Sequence, residues 1–133
     1  MADELSYAIV CPSQKVAEGN ARMITIPGTD GEFGVLAGHA PFLTTVGAGF
    51  VQIENANGHV EEVHVRGGFA EVTKAGLSLV VEGALKLSDM DRGGVQVRIN
   101  QLSELIAEAG EDHARAAPLV SERAALDAVL SKL

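Results

Sequence analysis

Glu32 and His39 stand seven residues apart in the stretch GTDGEFGVLAGHAPFLTTV (28–46), which also places glycine at 28, 31, 34 and 38. A carboxylate and an imidazole held together do general acid–base work, and glycine-rich loops cradle phosphates. Either chemistry needs more than these residues. The chain has no GxxxxGK[ST], no HExxH, no paired CxxC and no GxSxG, so the motifs that bring a phosphate loop, a zinc centre or an activated nucleophile are missing. GAGFVQ begins like a dinucleotide loop but ends in Gln and leads into a strand, so it lacks the required context. The four histidines, 39, 59, 64 and 113, do not fall at metal-ligand spacings. His59 reads as a turn residue, His64 as a strand-edge residue and His113 as part of a connection, with surface or capping roles. An enzyme built on Glu32 and His39 therefore stands as the weakest reading, and no catalytic or metal-binding residue is assigned.

Composition narrows the partners. The chain carries 10 basic and 18 acidic residues, a net charge of −8, and phosphate backbones reward the opposite sign. Aromatic residues are only 4%, with no Trp, which removes the stacking platforms of nucleic-acid and sugar binders. Most of the negative charge lies in the first part: 4 basic and 10 acidic residues in 1–84, against 6 and 8 in 85–133. Cys11 has no cysteine to pair with and sits in the apolar run YAIVCP. It fits a buried small hydrophobe in a reducing compartment. MADELS lacks the apolar core of a signal peptide, and no apolar run has the length of a membrane span. The expectation is a membrane connection only through partners.

Two periodicities divide the chain. Up to Lys86, short apolar runs alternate with breakers, giving candidate strands at Leu5–Cys11, Gln14–Glu18, Ala21–Pro27, Gly34–Ala37, Thr44–Val46, Gly49–Glu54, Val60–Arg66, Phe69–Thr73 and Leu77–Glu82. NANGH is a hairpin turn, since Asn and Gly accept positive φ. Val51, Ile53, Val63 and Val65 alternate with polar residues as in half-buried antiparallel strands. Many short strands at even spacing predict a β-sandwich or barrel. After Leu87 the period becomes helical. SDMD has capping-box spacing, with Ser88 as cap and Asp91 at the third helical position. Val95, Ile99, Leu102 and Ile106 then form one stripe, and Gly110 lies at its end. Pro118 suits the first turn of a second helix, whose face carries Leu119, Leu126, Leu130 and Leu133. The expectation is a β domain over 1–86 and an αα-hairpin over 87–133, too small to be stable unless its stripe is covered.

IPGTDGEFGVLAGHAPFLTTVGAGFVQI resembles the signature of the epsilon subunit of bacterial F-type ATP synthases, the counterpart of the mitochondrial delta subunit, nearly unbroken from Gly28 to Thr44. VRGGFAEV resembles the family's second signature, and the likeness covers the whole chain. The resemblance implies a β-sandwich of about ten antiparallel strands followed by a C-terminal antiparallel two-helix hairpin. It implies a non-catalytic rotor subunit that packs on the gamma subunit of the central stalk and stands on the c-ring, coupling proton flow to ATP synthesis. Such a subunit lies peripherally on the cytoplasmic face of the bacterial inner membrane. Carried over residue by residue, Glu32, Gly34, Gly38 and His39 are the c-ring contact. The glycines serve either the turns alone or the close approach of a neighbour, and His39 either the neighbour or a backbone group.

Some members of that family bind ATP between the two helices through [IL]-D-x-x-R-A, and in some the hairpin extends to the catalytic alpha and beta subunits and inhibits hydrolysis. In this chain the corresponding residues are MDRGGV: Asp91 is kept, while Gly94 stands in place of the Arg and Val95 in place of the Ala. The Arg would supply a planar fork of donors to phosphate. Asp91, Arg115 and Arg123 remain as nucleotide-binding candidates, and Arg92 and Arg98 are further cations on the helices. A solvated helix face is the simpler role for these cations, and no cofactor is expected. A nucleotide-sensing module is the alternative to the rotor subunit.

Overall fold

The computed structural model of the chain describes residues 4–133. Strands β1 (Leu5–Cys11), β2 (Gln14–Ala21), β3 (Met23–Gly28), β4 (Gly31–Leu36), β5 (Phe42–Val46), β6 (Gly49–Glu54), β7 (Val60–Thr73) and β8 (Gly76–Lys86) are followed by a 3-10 turn at Leu87–Asp89 and by helices α1 (Arg92–Ala109) and α2 (His113–Leu130). The chain divides into two compact units between Ser88 and Asp89.

In the first unit, hydrogen bonds join all eight strands in the order β2-β1-β8-β7-β5-β3-β4, with β6 paired to both β3 and β7. Nine short strands are legible in the sequence, and the difference falls at RGG. Instead of a turn between two strands, Val60–Thr73 is one long strand that bends. Its partners bend with it. Val46 faces Gly68 and Gly49 faces Val65, so β5 and β6 keep a single register along β7 and break at 47–48, opposite the break at 67. Strands bent in this way pass from one layer to the other and make the corners of a sandwich. Gly68 is fixed by a close approach, because a Cβ there would run into the Val80 carbonyl oxygen. The pairing is antiparallel except between β1 and β8, where Tyr7–Val10 lies parallel to Leu77–Val80. This is a departure from the all-antiparallel expectation. A parallel pair needs a long crossover, and here the crossover is the whole of β2–β7.

The core follows from alternation. Ile9, Ile24, Ile26, Val35, Val51, Ile53, Val63, Val65 and Leu79 point inward and are sealed from solvent, with Phe33, Phe42 and Ala84 packed at its margin. Cys11 is buried, as its apolar setting implies, with its Sγ 3.6 Å from the Gln14 carbonyl oxygen. His64 breaks the alternation. It is buried between Val63 and Val65 rather than at a surface edge, because the Phe50 ring covers it edge-on at 5.0 Å.

The second unit is an antiparallel helix pair joined by Gly110, Glu111 and Asp112. Asp91, not Ser88, caps α1. Its carboxylate accepts the Gly94 amide at 2.6 Å, while Ser88 lies in the 3-10 turn before it. Both residue types cap well, but the carboxylate also meets the positive end of the helix dipole. Gly110 ends α1 with φ 55°, as read from the sequence. Asp112 caps α2 and makes His113 its first helical residue, so Pro118 falls inside the helix rather than in its first turn. Val95, Ile99 and Leu102 form the buried stripe of α1, joined by Ala109, while Ile106 is only half-buried. On α2 the buried set is Ala125, Leu126 and Val129, with Leu119 and Leu130 at its margins, while Leu133 lies beyond the end of the helix.

Candidate functional site

The stretch from Gly28 to Val46 is β3–β4–β5 geometry at one side of the sandwich. β3 and β4 form a tight hairpin in register from Met23 opposite Leu36 to Gly28 opposite Gly31. Its turn is pinned to β5 on both sides. Thr29 donates its amide to the Thr45 carbonyl at 3.3 Å, the Thr29 and Thr45 hydroxyls meet at 2.6 Å, and Gly47 donates to the Pro27 carbonyl at 2.8 Å. Glu32 sits beside this turn, opposite Pro27, with an exposed side chain. Its place is fixed by backbone bonds while its carboxylate remains in solvent.

His39 lies at the other end of β4, in the loop that leads to β5. Its amide donates to the Leu36 carbonyl at 3.1 Å, and its ring stacks obliquely on Phe42 at 4.8 Å. Phe42 in turn meets Phe33 edge-on at 5.5 Å. His39 Nδ1 is 2.7 Å from the Ala40 carbonyl oxygen. A carbonyl only accepts, so Nδ1 carries a proton and the remaining nitrogen, Nε2, is the one available to a neighbour. The loop walls an open cavity of about 400 Å³ whose polar lining includes Glu4, Ser6, His39, Thr73 and Lys74.

The structure therefore separates the two residues that could have formed an acid–base pair. Four strand residues at ~3.3 Å each put roughly 13 Å between Glu32 and the end of β4, before the loop to His39 begins. The glycines separate as well. Gly38 adopts φ 80°, a backbone only glycine enters freely, so the turn requires it. Gly34 faces Thr25 on β3 and is exposed. A Cβ added there would meet only the Met23 side chain, its sulfur at an ordinary 3.5 Å, so this chain's own packing leaves room for a side chain. Among the described residues no cluster of three or more His, Cys, Asp or Glu has the arrangement of a metal site.

In the helical unit the nucleotide candidates do not form one site. Asp91 is engaged as the α1 cap. The backbone of Arg115 donates to Asp112, in the first turn of α2. Arg123 lies further along α2 and donates to Ser103 Oγ of α1 at 3.2 Å. The strongest polar contact across the helices is one the sequence reading passed over: Arg98 gives Nε to Glu122 Oε2 at 2.8 Å and Nη2 to Oε1 at 3.0 Å. The Glu122 hydrogen bonds and charge raise the Arg98 pKa above its ordinary value. A signal was available, since Arg98 and Glu122 each lie twelve residues from Gly110, and residues equidistant from the turn of an antiparallel hairpin face each other.

Comparison with known proteins places this fold in a family. Residues 4–87 match the family described as ATP synthase, Delta/Epsilon chain, beta-sandwich domain. The chain is 36% identical over 119 residues to the ATP synthase epsilon chain of Parvibaculum lavamentivorans, covering 90% of each. It is 40% identical over 113 residues to that of Hyphomonas neptunium, covering 84% of each. Among solved structures, a chain of the Euglena gracilis mitochondrial ATP synthase OSCP/F1/c-ring assembly superposes with a TM-score of 0.69 at 19% identity, over 97% of this chain and 81% of that one. The chain belongs to the ATP synthase delta/epsilon family. None of the helices among the described residues is long and apolar enough to cross a membrane.

Proposed function

We propose that this chain is the epsilon subunit of a bacterial F-type ATP synthase: a non-catalytic rotor subunit joining a gamma-type stalk subunit to the c-ring, peripheral on the cytoplasmic face of the inner membrane. The observation that carries this reading is the β3–β4–β5 corner, where the family signature is built as a rigid, solvent-facing surface with no catalytic pairing. Glu32, Gly34, Gly38 and His39 are the residues of that surface proposed to meet the c-ring. Glu32 offers a fixed negative charge to a cation on the c-subunit loops. Gly34 keeps the outer surface bare although the chain itself leaves room for a side chain, which supports a partner's close approach. His39 presents Nε2 outward while Nδ1 is held at home, and Gly38 makes the turn that carries it. The helical unit is the proposed point of contact with the alpha and beta subunits, through which ATP hydrolysis is regulated.

Co-expression of the tagged chain with its gamma subunit tests the reading. Retention of gamma at one-to-one stoichiometry is expected, with no ATP hydrolysis by the isolated chain. Elution of the chain alone beside properly folded gamma would overturn it. Within the assembled enzyme, Glu32→Lys is expected to weaken ATP-driven proton pumping several-fold while hydrolysis by the detached catalytic head is unchanged.

A further inference from the structure

The helical unit has little apolar surface with which to hold itself together. Seven residues are buried, and two of them, Ala109 and Ala125, carry only a methyl group. Gly93 and Gly94 in the first turn of α1 weaken it further, since glycine gives up more backbone freedom than alanine on entering a helix. Against this, polar contacts tie one helix to the other. Arg123 of α2 reaches Ser103 of α1, and Arg98 of α1 grips both oxygens of Glu122 of α2. The second is a fork-to-fork pair, the geometry with which arginine takes up carboxylates and phosphates alike. Half-exposed ion pairs usually contribute little, but bidentate arginine–carboxylate pairs are the ones that count. The seam between the helices thus spends on the chain's own carboxylate the geometry with which arginine takes up an anion.

We propose that the Glu122 carboxylate acts as an internal ligand: it fills the donor fork of Arg98 that an anionic ligand would need, and so holds α1 against α2 without nucleotide. This goes beyond the central-stalk reading and does not depend on it, because every group involved lies within the hairpin. Glu122 then does two things at once. It ties α1 to α2 with no bound anion, and it occupies a guanidinium fork that a phosphate would otherwise be able to take. A hairpin of this kind is opened by whatever competes for Arg98 or Glu122, not by loss of a bound nucleotide.

Hydrogen–deuterium exchange on the full chain reads the device directly, in the wild type, in Glu122→Gln and in the charge swap Arg98→Glu/Glu122→Arg, each with and without millimolar ATP and magnesium. Glu122→Gln is expected to exchange about fivefold faster across α1 and α2, the upper end of what such a pair contributes. The swap is expected to return protection toward the wild-type level, and ATP to leave the wild type unchanged. Sandwich amides should be equal in all three proteins, which separates loss of the clasp from general unfolding. Unchanged protection in Glu122→Gln, a swap as open as the single variant, or slowed exchange in the wild type with ATP would each overturn the proposal.

Discussion

His64 is the one polar or charged side chain among the described residues that the core buries, with 4% of its surface exposed and Nδ1 without a hydrogen-bond partner. Burial disfavours its charged form and the nearby Arg66 adds repulsion, so its pKa lies below the ordinary 6.5. The unfolded chain then binds a proton in mild acid that the folded chain refuses. The stability tied to this residue is complete above pH 6.5 and is lost as pH falls from there toward the depressed folded value. His64→Leu removes that dependence. In thermal melts between pH 7 and pH 5, the wild-type midpoint is expected to fall more steeply than that of the variant, and parallel slopes would refute the argument. This residue was not legible in advance. Alternation of Val63 and Val65 puts His64 on the outer face of its strand, and only the cross-strand neighbour Phe50 tells that this face is covered. Glu32 and His39 were easier to notice, as polar residues in an apolar, glycine-rich stretch. Their separation along β4 could be seen only once Glu32 was placed at its beginning and His39 beyond its end.

Elements were readable where local chemistry decides them and misread where a neighbour decides. Alternation placed β1, β6 and the first half of β7, and Gly110 marked the end of α1, because side-chain period and positive φ are local properties. RGG is turn-like by composition, so the sequence alone predicts a turn where β7 bends. What keeps Arg66–Phe69 in a strand is β8, which pairs through the break from Arg66 opposite Gly83 to Phe69 opposite Val80. Capping-box spacing puts Ser88 at the cap of α1 and Asp91 inside the helix, whereas in the structure Asp91 is the cap. Asp91→Ala is accordingly expected to cost the hairpin about 1 kcal/mol, while Ser88→Ala leaves it within a few tenths. Amide exchange over the first two turns of α1, without nucleotide, measures both. A larger loss in Ser88→Ala than in Asp91→Ala would return the cap to Ser88. The same measurement bears on Asp91 as a nucleotide residue, since a loss seen without ATP is the loss of a cap.

At the scale of the molecule, the chain joins two units of unequal means. The sandwich seals nine large aliphatic side chains in one core and ties its last strand to its first through the parallel β1–β8 pair. Its closure is thus complete at the end of β8, and nothing after Lys86 is needed to finish the sheet. The hairpin has seven buried residues, polar crossings and a glycine-weakened first turn, which places it below the size at which a single core is self-sufficient. A chain stopped after Ser88 is therefore expected to keep the far-UV circular dichroism of a β protein, to melt in one cooperative transition, and to retain the gamma-type partner. Residues 89–133 alone are expected to be largely unfolded in dilute solution. A sandwich that unfolds on truncation would show that the two units share one cooperative core. If instead the truncated chain folds and fails to hold gamma, the contact with gamma needs the hairpin. The two failures are distinguishable because the first is read from the melt and the second from the pull-down. A folded, gamma-binding sandwich would leave the helices free to answer to other partners while the sandwich stays fixed on the stalk.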